Sequence, residues 1–235
     1  MTTIHPARFA TVRVVTGLAL LAWLVAAIVG ATMGLVNRPG QPPLILLSLV
    51  VVPITLGVVA YRLSPSLRAW TDGFSLTWMV GLHTWRFVGF GFVAAWLIGR
   101  LPAGFAIPEG LGDAVAAAGA LALLPGLRRG TVSRTWLRVW NTFGLVDLLS
   151  ALVVGVLYSN GPLGVLSSGD VTTELMVTFP VSLIPTFLVP LFILLHLLTF
   201  ARLAPQVPTE RHDATAGPQA RYHSFDCLAG KTHLQ

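Results

Sequence analysis

Apolar runs of about 20 residues recur along this chain, and that recurrence leaves few folds open. Each run is long enough to cross a hydrocarbon core of ~30 Å as an α-helix. In lipid the backbone must satisfy its own hydrogen bonds, which restricts spanning structures to helices and closed barrels. Barrel strands alternate polar and apolar residues over short segments. Runs such as "LILLSLVVVPITLGVVAY", residues 44–61, do not alternate. Apolar residues make up 54% of the 235 positions and charged residues 10%. A soluble domain carries about a quarter charged residues. The fold class read from the chain is therefore all-α, a polytopic membrane helical bundle.

Six spans are drawn, at 14–36, 44–61, 74–99, 112–127, 136–158 and 176–200. The first follows Arg8 and Arg13 but is too long for a signal-peptide core, so it is kept as a span. The fourth is short and rich in Ala and Gly, which suits a tilted, re-entrant or shielded segment. Together 1–203 form the transmembrane domain. Residues 204–235 are polar, without apolar periodicity, and read as a disordered cytoplasmic tail.

Arginines set the expected orientation. Arg8 and Arg13 precede the first span, and Arg62 and Arg68 lie between the second and third. Arg128, Arg129, Arg134 and Arg138 lie between the fourth and fifth, and Arg202 follows the sixth. Both termini are expected in the cytoplasm. The outer connections hold Arg38 and Arg100 against Glu109, Asp113, Asp170 and Glu174, a mildly cation-friendly face. The basic balance is read as loops facing an anionic leaflet, not as nucleic-acid binding. Lys231 is the one lysine and Cys227 the one cysteine, so no disulfide framework or Cys/His zinc spacing exists. His212, His223 and His233 in the tail lack ligand spacing.

Ionisable side chains inside spans are costly and become functional candidates. Here they are His83 and Arg86 in "GLHTWRFVGFG", Asp147 in the fifth span and His196 in the sixth. At 1.5 Å per residue, Arg86 lies roughly 18 Å and Asp147 roughly 16 Å from the cytoplasmic ends of their spans. Two opposite charges at one depth are expected to pair or to share a polar cavity, and the same pair also suits a purely structural role. Asn141, Gly144, Asp147, Ala151 and Gly155 follow helical spacing on the fifth span. The small residues there admit a close neighbour, and Asn141 is a cross-helix hydrogen-bonding group. No metal ligand set is assigned, except that His83 and His196 would ligate haem b as a bis-histidine pair. Their depths, roughly 13 Å against 6 to 9 Å, differ by about one helical turn. No cofactor is predicted.

Pro180, Pro185 and Pro190 recur every five residues in the sixth span. The last two are expected to kink it and to free carbonyls that need a partner. The stretch "RLPAGFAIPEGLGD", 100–113, is read as a long outer connection with Glu109 and Asp113 near a cavity mouth. "WRFVG" at 85–89 resembles "WNTFG" at 140–144, and each leads on to a Gly-Asp, at 112–113 and 169–170. A parallel repeat of helical hairpins is one reading of that likeness. No phosphate loop, His-Glu-x-x-His or Gly-x-Ser-x-Gly elbow is present.

"RFVGFGFV", "LPAGFAIPEGLGD", "WNTFGLVDLLSA" and "FPVSLIPTFLVPLFILLH" resemble a set of bacterial multi-pass integral-membrane proteins with no assigned activity. The likeness covers 74–200. It implies a bacterial inner-membrane protein and carries over no substrate, cofactor or site residue. Three functional readings follow. The first is transport of a small solute or ion, coupled to protons, at a site of Arg86 and Asp147. The second is a redox protein holding haem b or a quinone through His83 and His196. The third is a non-catalytic subunit or scaffold. Expected partners are the bilayer and a small solute or ion; oligomeric state stays open.

Overall fold

A computed structural model describes residues 6–204, apart from Pro39, Ser168 and Asp170. The expected tail, with its histidines, Cys227 and Lys231, lies outside the described residues. Every regular element among the described residues is helical. In chain order they are α1 (Pro6–Thr32), α2 (Leu44–Leu63), α3 (Pro65–Thr71) and α4 (Leu76–Leu82). A 3-10 helix (His83–Gly89) leads into α5 (Phe90–Leu97), followed by α6 (Ala103–Arg129) and α7 (Arg134–Leu157). A 3-10 segment (Thr173–Val177) and a π-turn (Ile184–Leu188) precede α8 (Val189–Leu203). Among the described residues, five helices are long and apolar enough to cross a membrane: α1, α2, α6, α7 and the π-turn joined to α8. The chain is a membrane protein.

The third expected span, 74–99, is not one α-helix. Ser75 caps α4 by accepting from the Trp78 amide, and seven residues later the helix tightens to 3-10 geometry. The three pieces together reach roughly 36 Å, taking 1.5 Å per α residue and 2.0 Å per 3-10 residue. All three pack along α6. Leu76 belongs to an apolar cluster with Trp140 and Leu203, whereas Trp96 at the far end joins one with Leu101, Phe105 and Met176. The broken segment therefore runs from one end of the bundle to the other.

The fourth span is longer than expected. From Ala103 onward the predicted outer connection is the first part of α6, which continues unbroken to Gly130. Pro102 sits just ahead of it, where a missing N–H costs nothing. Gly130 ends it in the left-handed region, at φ 68°. The sixth helix starts later than expected, at Ile184, with Pro180 in the turn ahead of it. Pro190 has no amide to offer the Thr186 carbonyl one turn back. That carbonyl accepts from Trp23 Nε1 of α1 at 3.0 Å, so a side chain supplies the partner the freed group needs.

Arginines finish helices at one end of the bundle. Arg68 donates to the Tyr61 and Arg62 carbonyls closing α2, and Arg138 to Leu203 O closing α8. Arg202 reaches Asp72 O and Phe74 O. At the opposite end Gly40 N bonds Asn160 O, and Asn37 bonds Glu174. The likeness of 85–89 to 140–144 does not extend to the backbone. Trp85–Gly89 is 3-10 and Trp140–Gly144 is α-helical, while Gly112 is mid-helix and Gly169 lies in a loop.

Candidate functional site

Three residues per turn is what makes the broken segment useful. In a 3-10 helix, positions i, i+3 and i+6 eclipse. His83, Arg86 and Gly89 therefore form one line, and these are the buried residues of that segment. An α-helix would rotate each successive member away. The line faces α6 and the core, which brings an arginine that is 1% exposed to the centre of the bundle.

Arg86 is held on three sides of its guanidinium. Nε donates to Asp113 Oδ1 at 2.7 Å, and Nη2 donates to Asp147 Oδ2. Nη1 donates to the Gly144 carbonyl at 3.0 Å and meets His196 Nε2 at 3.4 Å. Planar guanidinium with several fixed donors suits this arrangement better than an ammonium would. The expected approach of Arg86 and Asp147 is present, with a second carboxylate beside it.

Glycines vacate the space these side chains fill. A Cβ at Gly112 of α6 would overlap Asp147 Oδ1. A Cβ at Gly144 of α7 would sit 2.6 Å from His196 Cε1 and 3.0 Å from Arg86 Nη1. Close backbone approach through small residues is ordinary helix packing in membranes. Here the gap is filled by ionisable groups instead of by the neighbouring backbone.

Glu109 and Asp113 do not stand at an outer mouth. They are four residues apart on α6, hence on one face, and that face is turned into the bundle. Glu109, 3% exposed, meets the Ser150 hydroxyl at 3.1 and 3.3 Å. Ser150 Oγ also lies 2.8 Å from Asp147 O. Moving both acids inward removes them from the outer connections, so the expected acidic face there is not built as drawn.

On the arginine-rich side of Arg86 stand two histidines and an asparagine, all buried. A guanidinium only donates, so His196 Nε2 is the acceptor and Nδ1 carries the hydrogen. Nδ1 then donates to Asn141 Oδ1 at 2.8 Å, and Asn141 Nδ2 donates to His196 O at 3.0 Å. Asn141 is fully buried and locks the ring in place. The His83 ring lies against His196 with centroids 4.1 Å apart and planes tilted by 35°, flanked by Trp140 and Phe192. Neither ring nitrogen of His83 has a partner among the described residues.

Bis-histidine haem requires iron and a macrocycle between the two rings. The rings of His83 and His196 touch each other, and both His196 nitrogens are engaged. The residues do not fit that group. Equal height, the point the sequence left in doubt, is met; the separation is not. Among the described residues no three His, Cys, Asp or Glu side chains group as metal ligands.

The polar layer lies between two apolar ones. Toward one end stand Phe92, Leu101, Phe105, Ala106 and Met176; toward the other, Val80, Ala120, Leu137, Trp140 and Leu203. Ser150 and the depth of Glu109 and Asp113 were missed in the sequence. The spacing of Phe105, Glu109, Asp113 and Ala117, four apart throughout, is a helical stripe that carried the signal.

A profile described as a domain of unknown function (DUF8737) matches residues 42–204. That stretch runs from the start of α2 to the end of α8 and contains every site residue named above. No curated protein and no solved structure matches the chain.

Proposed function

For a chain that belongs to the DUF8737 family, we propose proton-coupled transport of a small solute or ion across a bacterial inner membrane, with both termini in the cytoplasm. The observation that carries this reading is the excess of carboxyls. Asp113 and Asp147 bind one guanidinium, and Glu109 is linked to Asp147 through the Ser150 hydroxyl. A structural ion pair needs one carboxylate. With all three ionised, two negative charges would lack a counterion in a low-dielectric layer, an arrangement costing several kcal/mol. Protons or a bound cation relieve it, and exchange of one for the other is the elementary step of coupled transport.

Ser150 suits such exchange. Its single hydroxyl hydrogen has two destinations, Glu109 and Asp147 O. An ionised Glu109 accepts that hydrogen. A protonated Glu109 donates to Ser150 Oγ, and the hydroxyl turns to Asp147 O. Arg86 holds Asp147 while that group is ionised and loosens its grip when a proton neutralises it. The apolar layers on both sides keep water from short-circuiting the site.

The test uses protein reconstituted in liposomes with an internal pH dye, with proton, sodium and potassium gradients applied in turn. Asp147→Asn is expected to abolish wild-type flux while the protein still inserts and runs as a folded species in size-exclusion chromatography. Unchanged flux in that variant sinks the role.

A further inference from the structure

A cavity of about 250 Å3 opens at the end of the bundle opposite the arginine-rich one. Its walls come from the 35–46 stretch, the last turns of α7 and the 173–177 segment, and it reaches Phe105, Ala151 and Pro185. We propose that this cavity is the vestibule through which a small cation reaches Glu109 and Asp147, with the Phe105 ring closing it off from the carboxyls. The proposal rests on the transport reading of the carboxyl site and names its route and the charge of what it admits.

Position comes first. Phe105 and Glu109 are four residues apart on α6 and share a face, and Ala151 adjoins Ser150 on α7. The wall residues are thus one step from the polar layer, with no further helix turn between. Phe105 is 2% exposed and is the bulky member at that point. It leans on the Phe92 ring, with centroids 5.7 Å apart, and lies over Gly155, where a Cβ would be 3.4 Å from its Cε2.

Charge comes second. The charged residues on the wall, Arg38 and Glu174, are of opposite sign, and Asn37, Gln41 and Asn160 add amide groups for a guest that arrives hydrated. Ser159 Oγ, also on the wall, is buried with no hydrogen-bond partner among the described residues. Beneath, Arg86 is already bound to Asp113 and Asp147, and Glu109, held by Ser150, has no cation of its own among the described residues. A site lined by one sign of charge between low-dielectric walls attracts the opposite sign.

The experiment reads access, not transport. In a Cys227→Ser background, Glu109→Cys is reconstituted and exposed, from each side in turn, to membrane-impermeant methanethiosulfonates carrying a trimethylammonium or a sulfonate. Two carboxyls still outnumber the guanidinium in this variant. With Phe105 present, labelling is expected to be slow. With Phe105→Ala, or Phe105→Leu if the alanine variant does not fold, it becomes severalfold faster, only from the side bearing 33–43. The cationic reagent should outpace the anionic one by on the order of ten-fold. Val156→Cys, on the wall, should react from that side without any change at Phe105. Equal rates with and without Phe105, labelling from the arginine-rich side, or preference for the sulfonate each overturn the vestibule. Proton flux measured in vesicles of the Cys227→Ser protein is a separate readout. Its absence beside the expected labelling overturns transport and leaves the route standing.

Discussion

The α1–α2 pair and the group formed by the 76–97 segment, α6, α7 and α8 are built on opposite principles. In α2, 11% of the most apolar window is buried in protein, against 50% for the last span. Val14, Leu18, Leu21, Val51 and Leu56 face outward, where lipid is the solvent. α6 and α7 are the least hydrophobic of the five long helices, yet they hold the carboxyls, and the arginine sits in a segment that does not stay α-helical. In lipid, an apolar side chain gains little by facing protein instead of an acyl chain, so hydrophobicity does not choose the centre. Polar groups do, because each needs a partner that lipid does not supply.

Removing Arg86 should separate the two regions most. Arg86→Ala leaves buried carboxylates without their cation and is expected to cost about 3–5 kcal/mol. Leu18→Ala, on the exposed face of α1, should stay within about 0.5 kcal/mol. Denaturation of both in one detergent checks it, and equal losses would mean that the polar layer does not hold the bundle together.

Steric fit gives the next effect. Gly144→Ala brings a methyl against His196 and Arg86 and should cost about 1–3 kcal/mol. Gly17→Ala on α1 meets nothing within 4 Å and should gain up to about 1 kcal/mol from helix propensity. Opposite signs in the same denaturation assay support the division; matching signs remove it.

The smallest effect tests the seam between the two regions. Trp23→Phe keeps the ring contact with Phe187, at 4.7 Å, and deletes the hydrogen bond to Thr186 O. A loss of about 1 kcal/mol is expected. Amide exchange should rise in 184–192 and not around Arg86. Exchange that rises throughout the bundle would show the pair to be part of the core.

Much of the fold could be read from one chain because the bilayer imposes a length. α2 and α7 stand within two residues of where apolar length places them, whereas α1 begins eight residues earlier than expected and ends four earlier. The errors fall where polar residues interrupt apolar ones. In 100–113, Glu109 and Asp113 read as acids of an outer connection near a cavity mouth, since an acid on a helix facing protein and an acid facing water are alike in sequence. At 83–89 no residue announces 3-10 geometry; the eclipsed line of His83, Arg86 and Gly89 became visible only with α6 packed against it. Arg86 and Asp147 could be matched by depth arithmetic. Asp113, Ser150 and the ring contact of His83 with His196 could not, because depth along one axis does not give rotation about it.

One chain is enough to show an all-helical membrane protein, to pick out His83, Arg86, Asp147 and His196 as costly in lipid, and to put Arg86 and Asp147 at one height. Hydrophobic length and the cost of buried charge are properties of a segment taken alone, so they survive without knowledge of its neighbours. Tertiary structure decided that one arginine serves two aspartates, with a third carboxyl beside them, and that two histidines touch where a haem would need them apart. Those are relations of azimuth and distance between helices, and only packing sets them.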